Sequence, residues 1–249
     1  MLINPPFGYR EIVPLQKDRK IRLPTPGEIP EFCRKTNAVP ISYSEFGVAS
    51  RDYPLAFVST DEGKAYSPVA VLGVGGGENL FLSEGGWDPS VYLPAYLRRY
   101  PFCMARVTLN AVEQDERLIC VEKDALSEDG ERMFDHSGAP LPRWLAIEKL
   151  LRDYEADIER GREMCAILAD YALLEGFTLQ ASVKGASVTF GGMYRVDEKR
   201  LELLNAAQHK TLIRKGIMGR IYAHLTSLDN FARLIARREA SIPTPSRRG

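Results

Sequence analysis

The hydrophobic pattern of the chain changes once, across a polar, turn-rich stretch at residues 124–142. Before this stretch, residues 54–121 alternate short apolar runs with glycine-containing turns, which is typical of antiparallel strands. After it, apolar side chains recur at steps of three and four residues, the spacing of an amphipathic helix. We therefore predict an α+β fold, with a mainly antiparallel β half up to about residue 125 and a helical half from about residue 142.

The helical half is predicted to contain one β hairpin. A long helix is expected from about Pro142 to Glu175, because proline suits a first helical turn and the following glycine suits a stop. The hairpin follows, with period-two strands at 177–183 and 187–195. Asp197 is a good N-cap for the next helix. Further helices are expected at 198–205, near 208–215 and at 219–238.

The N-terminal region is rich in proline, with seven prolines among residues 1–40. Proline removes amide donors and fixes φ, so this region is predicted to be an extended arm with short strands. Residues 12–15 suit an edge strand, where proline is tolerated. The predicted organisation is an arm (1–40), a single α+β domain (41–240) and a solvated tail (241–249).

The charge balance and the absence of long apolar runs exclude several classes of protein. The 33 basic and 33 acidic residues cancel, whereas a dedicated duplex nucleic-acid binder needs a basic excess. No run approaches the roughly 20 apolar residues of a membrane span, and the N-terminus does not look like a secretory signal. We expect a cytoplasmic protein, with a non-classical export route left open. Near-zero net charge also leaves self-association unopposed.

No motif predicts a catalytic centre, a metal site or a cofactor. The four cysteines form no C-x-x-C pair and are interpreted as small buried side chains. The glycine-rich run at 73–78 lacks the last glycine of a dinucleotide fingerprint, so it is predicted to be a turn. The three histidines lack metal-ligand spacing. Among them, His224 is interpreted as a buried, hydrogen-bonded side chain, with a place in a pocket as the alternative.

Two clusters of tyrosine and arginine are candidate binding residues, because these types combine contact area with polar tips. The same residues would equally suit packed junctions of the scaffold, where an arginine pairs with a carboxylate. Both interpretations stay open on the sequence alone. The candidates are Arg98, Arg99, Tyr100, Tyr194, Arg195, Tyr222 and His224.

Four ordered segments resemble the bacterial SapC family. They cover residues 78–81, 92–102, 192–198 and 221–228, and the resemblance runs from about Val13 to Leu234. By its name, the family implies a link to surface layers, the paracrystalline coats of cells. The resemblance supplies no catalytic residue to carry over to this chain.

Two functions from different classes follow. The leading hypothesis is a non-enzymatic binding or assembly protein, acting on a protein partner or on a second copy of itself, with a link to surface-layer or cell-envelope biogenesis. The alternative is an enzyme, or an accessory subunit of one, with a small-molecule pocket between the β and helical halves. It would use His224, or Arg195 beside Tyr194. A third interpretation, a lattice-forming subunit, predicts self-association at micromolar protein.

Overall fold

The structure is a computed structural model that describes residues 2–59, 61, 63, 65–83, 85–109, 112–184 and 186–242. It confirms the α+β class, with antiparallel sheets and seven helices among the described residues. The chain divides into two compact units. Unit 1 contains residues 1–33, 83–87 and 95–156, and unit 2 contains residues 34–82, 88–94 and 157–249. The predicted arm, domain and tail stay a prediction, and residues 243–249 of the tail lie outside the described residues.

The elements are numbered in chain order. The strands are β1 (Leu2–Ile3), β2 (Ile12–Pro14), β3 (Lys20–Ile21), β4 (Ala38–Pro40), β5 (Leu55–Ser59), β6 (Tyr66–Val71), β7 (Leu82–Ser83), β8 (Gly86–Trp87), β9 (Phe102–Leu109), β10 (Val112–Glu122), β11 (Glu131–Arg132), β12 (Leu174–Val183) and β13 (Ala186–Val196). The helices are α1 (Phe46–Ala49), α2 (Ala95–Arg98), α3 (Pro142–Asp170), α4 (Glu198–Glu202), α5 (Ala206–Arg214), α6 (Ile217–Ser227) and α7 (Asn230–Ser241).

Unit 1 is built on a four-stranded antiparallel sheet with the order β1-β9-β10-β2. Strands β9 and β10 pair antiparallel, with Cys120 opposite Cys103. The predicted edge strand is also confirmed, because β2 lies at one end of the sheet and ends at Pro14. The first turns of α3 supply Trp144, whose ring lies 5.4 Å from that of Phe102 in the core.

Unit 2 is built on a five-stranded antiparallel sheet with the order β12-β13-β5-β6-β4. The predicted hairpin is β12 and β13, with strands longer than expected. Among the described residues, two residue pairs join β13 to β5, Met193 with Val58 and Tyr194 with Phe57. On one face of the sheet, the Phe57 ring lies 5.0 Å from the imidazole of His224 on α6.

Two predicted helix boundaries are wrong. Helix α3 ends at Asp170 instead of Glu175, because Ala172 turns the chain with a φ of 52° and β12 begins at Leu174 to pair with β13. The predicted helix at 219–238 is two helices, α6 and α7. They separate where the side chain of Asn230 donates to the carbonyl oxygens of Ser50 and Tyr53. The predicted N-cap is confirmed, since Asp197 accepts from two backbone amides of α4.

Candidate functional site

Arg99 lies at the centre of a buried aromatic cluster in unit 1. It is 4% exposed, and its guanidinium carbon lies 4.3 Å from the ring centre of Tyr96 and 4.7 Å from that of Tyr154. A terminal nitrogen of Arg99 is 3.6 Å from the carboxylate of Glu155, which also pairs with Arg117. Arg99 Nε has no hydrogen-bond partner among the described residues. These contacts fit the scaffold interpretation of Arg99.

The neighbours of Arg99 in the sequence differ from it. Arg98 is exposed at the last position of α2. Tyr100 is half-buried, and its ring packs 5.4 Å from that of Tyr9. Burial raises the pKa of Tyr100 above its usual value. Of this first predicted cluster, Arg98 is the one exposed side chain.

His224 fills a gap between two strands of unit 2. It is fully buried, and its Nε2 accepts from the backbone amide of Val196 at 3.1 Å. Its Nδ1 is 2.9 Å from the carbonyl oxygen of Leu55. The network therefore assigns the proton to Nδ1, which donates to Leu55. The imidazole bridges β13 and β5 just beyond their two direct residue pairs, which confirms its interpretation as a buried, hydrogen-bonded side chain.

The surroundings of His224 keep it uncharged. Burial lowers the pKa of His224 from 6.5 to about 4, and the nearby charge of Arg195 acts in the same direction. The hydroxyl of Ser227 accepts from the amide of Leu55 at 2.9 Å, so α6 satisfies both backbone groups of that residue. With both ring nitrogens engaged, His224 has no free nitrogen for acid–base chemistry in this arrangement.

The other predicted residues of unit 2 are more exposed. Tyr194 is half-buried, and its ring packs edge-on against Tyr66 at 4.9 Å. Arg195 is exposed, with its Nε donating to the carboxylate of Glu175 at 2.8 Å. Tyr222 is 52% exposed on α6. A binding role for these side chains stays a prediction.

A cleft on the sheet of unit 2 was not predicted from the sequence. Its floor is apolar and combines four strands. Directly opposite residues of antiparallel strands share a face, as do alternate residues of one strand. Ala38 opposes Val71, and Val58 opposes Met193, so the registers place these side chains and Val69 on one face. The cleft has a volume of about 270 Å³.

The rim of this glycine cleft consists of two short glycine stretches. One is the predicted turn, which contributes Gly73, Gly75 and Gly76, and the other is the Gly191–Gly192 pair in β13. A Cβ added to Gly75 or Gly76 would meet no atom within 4 Å, and neither residue has a positive φ. Internal packing and backbone conformation therefore do not require glycine at these two positions.

The glycine turn closes on itself and is not a phosphate cradle. The Glu78 carboxylate accepts from the amide of Val74 at 3.2 Å and pairs with Arg238 at 2.8 Å. A Cβ on Gly73 would overlap the carbonyl oxygen of Glu78, so Gly73 permits this closure. A carboxylate already occupies the position that an anion would take, which disfavours phosphate binding there.

The chemistry available in the glycine cleft is that of binding. No acidic or basic side chain lines it, and Thr189 supplies its one hydroxyl among the described residues. The amides of Gly75 and Gly76 have no hydrogen-bond partner among the residues that the structure describes. The cleft therefore offers an apolar floor and unpaired backbone groups, with no base placed to activate Thr189.

Within the described ranges, no cluster of three metal-ligating side chains is found, and no helix has both the length and the apolar content of a membrane crossing.

The family model described as SapC matches residues 18–234 of the 249. Comparison with curated proteins and with solved structures gave no match.

Proposed function

The chain belongs to the SapC family, and we propose that it is a non-enzymatic binding or assembly protein whose glycine cleft receives an uncharged, extended segment of a protein partner. The observation that carries this proposal is the lining of the cleft. It joins an apolar floor to bare glycine backbone and includes no acidic or basic side chain. Such a site offers shape and hydrogen bonds without groups for proton transfer.

The glycines of the rim favour a peptide as the occupant. Gly75 and Gly76 are glycine where neither packing nor φ demands it, so their lack of a side chain keeps the mouth of the cleft open. Extended peptides bind through main-chain hydrogen bonds, while pockets take alternate side chains. The unpaired amides of the rim and the apolar floor match these two requirements.

The size of the cleft favours part of a partner over a whole small molecule. Pockets that bury drug-sized ligands have volumes of about 300–1,000 Å³. The 270 Å³ cleft lies below this range, so it suits one or two side chains of a longer segment. The alternative small-molecule enzyme is weakened for a further reason, since both nitrogens of His224, its proposed catalytic group, are engaged by the backbone.

Family and cysteine chemistry suggest where this assembly function takes place. The four cysteines are buried and unbonded, although Cys103 and Cys120 lie opposite each other on paired strands. Free thiols in this arrangement suit a reducing compartment. These observations support our proposal of a cytoplasmic protein, with the surface-layer link of the family as the process that its partner would serve.

The experiment is site-specific photo-crosslinking of the protein in its own cells. A photoreactive side chain replaces Gly76 at the rim, and a control replaces Gly219 on α6, where an added Cβ also meets no atom within 4 Å. We expect position 76, and not position 219, to crosslink to one short, uncharged segment of a protein. Equal crosslinking at both positions, or none to protein at position 76, would refute the proposal.

The crosslinked segment then gives a quantitative test. A synthetic peptide with its sequence is titrated against the wild type and the Gly75→Val and Gly219→Val variants by calorimetry. Gly75→Val fills the mouth of the cleft, and we expect binding at least tenfold weaker, since a lost set of contacts worth about 1.4 kcal/mol changes affinity by that factor. Unchanged affinity in Gly75→Val would show that the peptide binds elsewhere.

A further inference from the structure

The two large sheets have four edges, and three of them are short or end in proline. In unit 1 the edges are β1, with two residues, and β2, which ends at Pro14. In unit 2 one edge is β4, which has three residues and ends at Pro40. Short strands and proline are the usual means by which proteins prevent an edge from pairing with another chain.

The fourth edge, β12, is long and lacks these protections. It has ten residues, Leu174–Val183, with no proline and no lysine. Its burial alternates along the strand, and it pairs with β13 on one side, with a shift of register between Phe177 and Leu179. No described residue hydrogen-bonds the backbone edge of β12 that faces away from β13. A long edge with unpaired backbone groups is a template for a further strand.

The side chains of β12 and their contacts leave the strand open to pairing with a further strand. Its Phe177 ring packs 6.0 Å from that of Phe231 on α7, which supports one face of the strand. The opposite face carries the exposed, uncharged side chains of Thr178, Gln180 and Ser182. The one charged residue of the strand, Glu175, is paired with Arg195 at 2.8 Å. Charge repulsion therefore does not protect this edge.

We propose that β12 is an assembly edge, at which two copies of the chain pair antiparallel and join their five-stranded sheets into one. This interface differs from the glycine cleft, although Thr178 adjoins Gly191 on the rim of that cleft. A two-fold axis at Leu179 places Phe177 beside Ala181 and Thr178 beside Gln180, so apolar and polar faces match. Each Glu175 then lies eight residues from its copy, a separation of about 27 Å that exceeds the Debye length.

The zero net charge of the chain supports a second copy as the occupant. Identical chains carry identical charge, so a large net charge would oppose the pairing of two copies. A backbone edge supplies hydrogen bonds to any strand, but the matched faces about Leu179 arise from the sequence of β12 itself.

The test is the oligomeric state of the full chain by sedimentation equilibrium from about 1 to 100 μM, a range that brackets common dimer affinities. We expect a mass that rises toward twice 27.9 kDa. The variant Thr178→Glu/Gln180→Glu places like charges beside each other across the axis, and we expect dimerisation at least tenfold weaker. The control Ser187→Glu adds a glutamate on β13, away from the edge, and should leave the dimer intact.

Replacing the two glutamates by lysines tests whether dimerisation takes place at this edge. The variant Thr178→Lys/Gln180→Lys should also dimerise at least tenfold more weakly alone, and mixing it with the glutamate variant should give a heterodimer. Hydrogen exchange of β12 amides should slow as the wild-type dimer forms. A wild type that stays monomeric at 100 μM, or charged variants that dimerise like the wild type, would overturn the proposal.

Discussion

One carboxylate in unit 1 is the counter-ion of a buried arginine, and this arrangement predicts which of two variants is the less stable. Arg99 is 4% exposed and lies 3.6 Å from Glu155. We consider two substitutions that keep side-chain volume, Arg99→Met and Glu155→Gln. The first removes the buried charge, whereas the second leaves it without its described counter-ion. We expect Glu155→Gln to be the more destabilising of the two.

The magnitudes follow from the contacts of each side chain. Arg99→Met loses the cation–π contacts with Tyr96 and Tyr154, at about 1 kcal/mol each, while the carboxylate keeps its pair with Arg117. Methionine still fills the space of the arginine stem. We therefore expect a loss of about 2 kcal/mol. Removing the partner of a buried charge costs about 3–5 kcal/mol, so Glu155→Gln should cost at least about 3 kcal/mol.

Urea denaturation followed by tryptophan fluorescence measures both losses. The two tryptophans of the chain, Trp87 and Trp144, both belong to unit 1, so their emission reports the unfolding of that unit. The control is Arg143→Met, whose partner Glu131 is 51% exposed. A surface pair of this kind contributes less than about 1 kcal/mol. Unchanged m-values would confirm that the same transition is compared.

The reverse order would refute this reasoning. If Arg99→Met cost as much stability as Glu155→Gln or more, the aromatic rings, and not the carboxylate, would be the main groups that stabilise the charge of Arg99. If neither variant cost more than the Arg143→Met control, the cluster would contribute nothing specific to unit 1. Both outcomes can be measured as differences in the urea midpoint, because variants with equal m-values are compared without extrapolation to zero denaturant.

Two further predictions concern unit 2. His224 has a pKa of about 4 when folded and 6.5 when unfolded, so the unfolded chain binds more protons between these values. Stability should fall as the pH drops below 6.5, by up to about 1.4 kcal/mol per pH unit, and His224→Gln should flatten this slope in calorimetric scans. Equal slopes would contradict the assignment. Gly73→Ala should lower the unfolding temperature and open the glycine turn, because the added Cβ meets the carbonyl of Glu78, whereas Gly76→Ala should leave that temperature unchanged. Equal effects would contradict this difference.

The fold class and the order of elements could be predicted from the sequence because they depend on local periodicity. Pro142 and the apolar steps that follow it give the start of α3 correctly. Its end could not be predicted, since Leu174 continues the apolar spacing of the helix but pairs with Val196 as a strand. The break between α6 and α7 was hidden for a similar reason, because the apolar stripe continues across it.

The candidate site could be predicted only in part. The glycine-rich run was interpreted correctly as a turn, but its place at the rim of a cleft depends on strand registers that join Ala38 to Met193 across the sheet. Arg98 and Arg99 look alike in the sequence, yet one is exposed and the other buried. Adjacent glycines occur three times in the sequence, at 75–77, 85–86 and 191–192, so they could not by themselves have indicated which of these runs line a cleft.

The imidazole of His224 has a consequence for how unit 2 opens. Among the described residues, two residue pairs join the β12–β13 hairpin to β5. The imidazole adds a hydrogen-bonded bridge between β13 and β5 beside these pairs. Segments with few tertiary bonds can detach as cooperative sub-global units while the remainder stays folded. Protonation removes the acceptor that holds the Val196 amide. Acid near pH 4, where folded His224 becomes protonated, would therefore release the hairpin as one body before the sheet unfolds.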